Sequence, residues 1–98
     1  MLFVGDIMKH VAAHYQVSFA DLAGSCRKRR YARPRQVTMY LARHLTGQSL
    51  PRIARRFNCD HTAIHYARLR IEELMQTNPH FAAEVAALRD ALTKEKVQ

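Results

Sequence analysis

Apolar residues recur at intervals of three and four along most of the chain, which is the spacing of helices buried on one side. Alternation at every second position, typical of a half-buried strand, is absent. Helix-forming residues dominate, and glycine and proline number only three each. The pattern predicts an all-α protein, a compact bundle of about six helices.

Local capping signals mark the first two helices. Asp6 is expected to cap a helix that runs to about Tyr15, and Ser18 with Asp21 forms a weak capping box for a short second helix. The cation-rich segment 26–33 shows no amphipathic helical pattern. We expect this segment to be an exposed basic loop.

Two prolines mark the starts of the next two helices. Pro34 suits the first turn of a third helix, because an N–H at that position would lack a partner in any case. Thr46 and Gly47 are expected to end that helix. Ser49 would cap the fourth helix, with Pro51 in its first turn.

The stretch 49–75 has the spacing of a helix-turn-helix. Ala54 falls where only a small side chain lets two helices cross closely. Asn58 falls in the turn, where a left-handed backbone is required and asparagine tolerates it. Asp60 would cap the second helix of the motif, whose expected buried stripe is Ile64, Ala67, Ile71 and Leu74.

The C-terminal part predicts one more helix, within a single domain that spans residues 1–98. Asn78 and Pro79 repeat the combination of a cap and a proline, and the helix is expected over 79–93. Its apolar stripe is narrow enough to pack on a bundle or on another chain. The stripe contains Phe81, Val85, Leu88 and Leu92.

Charge points to a polyanionic partner. The chain has 16 Lys and Arg against 8 Asp and Glu, a formal net charge of +8 and a pI of about 10.2. A domain this basic most often binds nucleic acid. No acidic residue occurs from Leu22 to Cys59, a stretch that holds Arg27, Lys28, Arg29, Arg30, Arg33, Arg35, Arg43, Arg52, Arg55 and Arg56.

Several other classes of protein fit poorly. Cys26 and Cys59 are too few for a disulfide framework, and no apolar run approaches a membrane span, so a cytoplasmic protein is expected. A zinc site can be drawn from Cys59, His61 and His65, but it lacks a fourth ligand. We expect no metal, no cofactor and no enzymatic activity, because no catalytic arrangement sits on a plausible pocket.

The segment ARPRQVTMYLARHLTGQSLPRIARRF, followed by DHTAIHYARLRI, resembles domain IV, the C-terminal DNA-binding domain of the bacterial replication initiator DnaA. The PRQ, MYLAR, SLP and DHT motifs carry the resemblance, which extends loosely from Ile7 to Leu92. It implies a monomeric, Trp-repressor-like helix-turn-helix that binds an asymmetric, A/T-leaning box in double-stranded DNA. It also implies a bacterial, nucleoid-associated protein.

The resemblance further implies which residues contact bases. Arg27 would enter the minor groove, where a narrow A-tract attracts arginine. Asp60, His61 and Thr62 would contact bases in the major groove, and Pro51 would approach a thymine methyl group. Chemically, the carboxylate can accept from cytosine, the imidazole can donate to a purine or thymine, and the threonine methyl can meet thymine.

Phosphate contacts are implied for a second group of residues. The chain departs from the family pattern at two places: Asn58-Cys59 replaces a longer Gly-Gly-Arg turn, and Ala63 replaces a threonine. Each departure removes a polar side chain. The phosphate ligands that the resemblance implies by position are Arg29, Arg35, Gln36, Arg43, Ser49 and Leu50, the last through its backbone. Arg30 and Arg33 are expected phosphate ligands as well.

The leading hypothesis is a sequence-preferring DNA binder that acts on replication initiation or transcription. No G-x-x-x-x-G-K-[ST] phosphate loop occurs, and the MLFVGDIM start favours a stand-alone protein. A second hypothesis is an adaptor that binds the replication initiator or the factor that inactivates it. A third is a nonspecific basic binder.

Overall fold

The computed structural model describes residues 2–23 and 29–97. Six helices and no strands occur in these two segments, so the all-α prediction is confirmed. The helices are α1 (Val4–Tyr15), α2 (Phe19–Ala23), α3 (Arg29–Thr46), α4 (Leu50–Arg56), α5 (His61–Thr77) and α6 (Pro79–Val97).

The core is built around two central helices. α3 packs against α1, α2, α4 and α5, while α5 also contacts α4 and α6. Every helix contributes side chains to one continuous apolar cluster. Its fully buried members include Ile7, Leu22, Leu41, Ile53, Phe57, Ile64, Ile71 and Leu92.

Four predicted caps are confirmed by their hydrogen bonds. Ser18 Oγ accepts from the Asp21 N–H at 3.0 Å, and Ser49 Oγ accepts from the Arg52 N–H at 3.4 Å. The Asp60 carboxylate accepts from the Thr62 N–H, and the Asn78 side chain accepts from the Phe81 N–H. Gly47, with φ of 68°, follows the end of α3 as expected.

The predicted start of α1 is wrong by a few residues. The helix begins at Val4, and Asp6 lies inside its first turn instead of capping it. The Asp6 carboxylate still accepts a hydrogen bond from the Phe3 N–H at 3.0 Å. The earlier start is explained by Val4, which is buried beside Ile7 and Met8.

The predicted basic loop 26–33 and the predicted start of α3 at Pro34 also need correction. α3 begins at Arg29, and residues 24–28 lie outside the described segments. Tyr31 is only 5% exposed, and Pro34 is buried one turn further along the same face. Burial of this face compensates for the backbone hydrogen bond that an internal proline cannot donate.

The last helix is longer than predicted but buries the predicted face. α6 runs to Val97 instead of ending near residue 93. Val85, Leu88 and Leu92 are buried, and Phe81 packs partly against the core. Within the described segments, no helix is both long enough and apolar enough to cross a membrane.

Candidate nucleic-acid interface

The crossing of α4 and α5 has the geometry that the sequence predicts for a helix-turn-helix. Ala54 is 3% exposed, and its carbonyl accepts from the Cys59 N–H at 3.2 Å. Asn58 has φ of 52°, in the left-handed region. The small side chain and the left-handed turn let the two helices meet without a steric clash.

The first turn of α5 presents polar side chains to solvent. Ile64, Ala67 and Ile71 are buried, as predicted, while Leu74 is only half-buried. His61 and Thr62 lie away from this stripe and are exposed. The side chains at the end of the helix that is expected to enter DNA therefore do not pack against the core.

Asp60 has two partners at this end of α5. Its Oδ1 accepts from the Thr62 N–H at 3.2 Å and lies 3.1 Å from His61 Nδ1. A proton on Nδ1 would leave Nε2 as an acceptor, whereas the imidazolium would donate from both nitrogens. The pair is well exposed, so the contact orients the imidazole and adds little stability.

Two clefts flank α5 on opposite sides, and they are named here by the helices that border them. The α3 cleft has a volume of about 510 Å³, and the α4 cleft about 470 Å³. The α3 cleft is lined by Ala32, Arg35, Gln36, Met39, Cys59, Ala63, Tyr66, Ala67 and Arg70. The α4 cleft is lined by Arg43, His44, Leu50, His65 and Arg68.

The three expected arginine ligands of phosphate whose side chains the structure describes all have intramolecular partners. Arg35 Nη2 donates to the Phe57 carbonyl at 3.2 Å, and Arg43 Nη1 donates to the Gln48 carbonyl at 2.9 Å. Both bonds hold a guanidinium at the edge of a cleft. Arg33 differs, because it donates to Gln36 and lies 5.9 Å from the Phe81 ring centroid. Arg33 lines neither cleft and instead approaches α6.

The other sequence-predicted contacts lie in different parts of the chain. Ser49, Leu50 and Pro51 form the start of α4, where Leu50 lines the α4 cleft and Pro51 is exposed. Gln36 lines the α3 cleft. Arg29 and Arg30 lie in the first turn of α3, but their side chains are not described. Arg27 lies outside the described residues.

The structure also exposes residues that the sequence reasoning did not assign to a contact. Tyr66 and Leu69 are exposed apolar side chains on α5. Their spacing of four and seven from Thr62 is the signal that could have identified them. A third cleft of about 360 Å³ is lined by Phe3, Gln48, Arg52, Arg55 and Arg56.

Cys59 lies where the turn meets the α3 cleft. Burial raises the pKa of its thiol, with a further contribution from the charge of Asp60, while the charge of Arg35 opposes the shift. Its Sγ lies 3.9 Å from the Ala54 carbonyl oxygen. In the described part of the chain, no group of three or more His, Cys, Asp or Glu side chains is arranged to hold a metal ion.

A polar helix start between two clefts with cationic edges, on this fold, defines a helix-turn-helix DNA-binding domain. A family model described as the bacterial dnaA protein helix-turn-helix matches residues 4–71. The chain belongs to that family, and the resemblance noted from its motifs is confirmed.

Individual relatives agree with this assignment. The chromosomal replication initiator protein DnaA of Cereibacter sphaeroides is 47% identical over 90 residues, covering 91% of this chain and 20% of the relative. The same protein from Magnetococcus marinus is 40% identical over 92 residues, covering 93% of this chain and 21% of the relative. The chain thus spans about a fifth of the length of these relatives.

A solved structure supports the fold independently. A crystal structure of a DNA replication initiation factor matches with a TM-score of 0.84 and 30% sequence identity. The match covers 94% of this chain and 28% of the solved one. All but a small part of this chain therefore matches a little more than a quarter of the solved chain.

Proposed function

We propose that the protein binds double-stranded DNA with a preference for A/T-leaning initiator-type boxes, and that it regulates replication initiation or transcription at those sites. The observation that carries this proposal is the exposed start of α5, where the cap residue Asp60 and the first-turn residues His61 and Thr62 all face solvent. Action on chromosomal DNA would make it a nucleoid-associated protein.

The dimensions of α5 and its surroundings fit a major groove. An α-helix with side chains is about 10–12 Å across, close to the groove width of about 12 Å. With α5 in the groove, the two clefts would face the two sugar-phosphate strands. Arg35 and Gln36 would then contact phosphates on one side, and Arg43 with the start of α4 on the other.

Base selection would come from three neighbouring side chains. Asp60 can accept from a cytosine amino group, and its charge repels phosphate when the helix is misplaced. Thr62 can present its methyl group to thymine. His61, held by Asp60, can bond a purine or thymine edge. Pro51 would add an apolar contact to a thymine methyl group at the start of α4.

The basic segment before α3 would supply a second contact. Arg27 is proposed to enter the neighbouring minor groove, with Arg29 and Arg30 on adjacent phosphates. A narrow A/T-rich minor groove concentrates negative potential and favours arginine. Two separated contacts would explain a preference for A/T-leaning boxes better than the recognition helix alone.

Fluorescence anisotropy with an initiator-type box and a scrambled duplex tests the proposal. Neutralising about five phosphates gives a log–log salt slope of about −4 to −5. His61→Ala should weaken binding to the box by roughly tenfold while changing scrambled-duplex binding much less. His80→Ala, at an exposed position on α6, is the matched control. Equal affinity of the unaltered protein for both duplexes would refute sequence preference.

One observation favours a second function as an adaptor. Arg52, Arg55 and Arg56 lie on the exposed face of α4 beside Phe3, and no ion pair holds them within the described segments. This face could bind an acidic surface of the replication initiator or of its inactivating factor. Binding of purified DnaA in the presence of excess DNA, lost on Arg55→Glu, would support it.

A further inference from the structure

The exposed face of α5 continues beyond its first turn. Tyr66 and Leu69 follow Thr62 at intervals of four and three, and they are exposed to 68% and 42%. This stripe lies on the opposite side of the helix from Ile64 and the other buried positions. The face that would carry Thr62 toward a DNA groove therefore also carries Tyr66.

Packing does not account for the tyrosine at position 66. Its hydroxyl forms no hydrogen bond in the part of the chain that the structure describes, and its ring stands beside the His65 imidazole with centroids 5.7 Å apart. Tyrosine combines an apolar body with a polar tip, and it is favoured where a surface is apolar on one side and polar on the other. The edge of a base pair is such a surface.

The direction of the side chain strengthens this point. Side chains of a helix lean toward its N-terminus, so Tyr66 leans over the turn that contains Thr62 and Ala63. Ala63 carries only a methyl group, and together with Tyr66 it lines the α3 cleft. The space on the N-terminal side of the tyrosine ring is therefore open to a ligand.

We propose that Tyr66 is a specificity-determining residue that contacts a base pair next to the one facing Thr62. This inference rests on the proposed placement of α5 in the major groove. One helical turn advances about 5.4 Å, and base pairs stack about 3.4 Å apart, so Tyr66 falls within one or two base pairs of Thr62. Its hydroxyl would bond a base edge, with the ring against a thymine methyl group.

The position of Tyr66 favours a base over a phosphate. The expected phosphate ligands, Arg35 and Arg43, stand at the far walls of the two clefts on either side of α5. Tyr66 belongs to the α5 wall of the α3 cleft, on the stripe that begins at Thr62, whereas Arg35 stands on the α3 wall. With α5 in the groove, a side chain on the α5 wall would lie nearer to the base edges than one on the α3 wall.

The test is a panel of duplexes in which each base pair of the box is replaced in turn. Affinities are measured by anisotropy for the unaltered protein, Tyr66→Phe and Tyr66→Ala, with His80→Ala on α6 as the control outside the proposed interface. Tyr66→Phe should lose roughly fivefold in affinity for the intact box. Tyr66→Ala should lose roughly tenfold in affinity for the intact box. It should also stop discriminating between base pairs, but only at one or two adjacent positions of the box.

Three other results would overturn the inference. An equal loss across the whole panel and the scrambled duplex would make Tyr66 a phosphate contact. If the Tyr66 variants bound every duplex of the panel with the affinity of the unaltered protein, Tyr66 would not be part of the interface. The proposed function would still stand if the unaltered protein preferred the box. Failure of the unaltered protein to discriminate at all would refute both. Circular dichroism shows whether each variant retains its helices.

Discussion

The two clefts beside α5 have similar volumes but different walls. In the α3 cleft, Met39 and Ala67 are about 5% exposed and belong to the core. In the α4 cleft, Arg68 pairs with Glu72 at 3.2 Å and lies 3.4 Å from His65, all at least partly exposed. If DNA contacts both clefts as proposed, contacts in the α3 cleft would be coupled to folding, whereas those in the α4 cleft would depend on exposed and half-buried surface side chains.

The substitution with the largest expected effect on this difference between the clefts places a larger side chain in the wall of the α3 cleft. Ala67→Leu adds bulk where α5 meets α3, at a position that is 4% exposed. Overpacking of this kind costs about 1–3 kcal/mol, and the displaced helix should also lose its preference for the box. Urea unfolding and anisotropy measure the two effects on the same preparation.

The counterpart in the α4 cleft is Arg68→Ala. It removes a partly exposed ion pair with Glu72 between neighbouring turns of one helix, so the free energy of unfolding should change by less than about 0.5 kcal/mol. A loss of stability as large as that of Ala67→Leu would show that the two clefts do not differ in the proposed way.

A sharper comparison uses the two anchored arginines. Arg35 donates to Phe57 across 22 positions of sequence and ties α3 to the end of α4, while Arg43 donates to Gln48 only five positions away. Arg35→Ala should lower the free energy of unfolding by about 1–2 kcal/mol, because it removes a charged donor from a half-buried site. Arg43→Ala should lower it by about 0.5 kcal/mol or less.

Both arginine variants should bind DNA more weakly, because each would lose one of the proposed phosphate contacts. Each salt slope should therefore become less steep by about one unit. Arg35→Ala should also unfold at a clearly lower urea concentration than Arg43→Ala. Equal urea midpoints for the two variants would contradict the structural role assigned to Arg35.

Local signals in the sequence were sufficient for the helix-turn-helix. The caps at Ser49 and Asp60, the small residue at Ala54 and the left-handed turn at Asn58 each depend on a few neighbouring residues. Such features are visible in a single sequence because the chemistry that forms them is local. The buried stripe of α5 follows from the same helical period.

The start of α3 could not be found in this way. A run of cations around Tyr31 hides the apolar face that Tyr31 and Pro34 share, and proline normally argues against a helix interior. What makes that face helical is packing against the rest of the bundle, which lies far away in sequence. The approach of Arg33 to Phe81 is unpredictable for the same reason.

The smallest expected effect is a difference in chemical reactivity between the clefts. The thiolate is the reactive form of cysteine, and burial raises the pKa of the Cys59 thiol, so Cys59 should alkylate more slowly than a free thiol at mildly alkaline pH. Its rate should rise with pH until the raised pKa is passed. A Cys26→Ser variant leaves Cys59 as the only thiol.

DNA should slow that alkylation further if a strand crosses the α3 cleft, since Cys59 lines it. A matched probe for the α4 cleft is His65→Cys, made with Cys26→Ser and Cys59→Ser. Position 65 is exposed, so this thiol should react quickly without DNA and slowly in its presence. Mass spectrometry follows both reactions with the same duplex. Protection at position 65 without protection of Cys59 would place DNA along the α4 cleft alone.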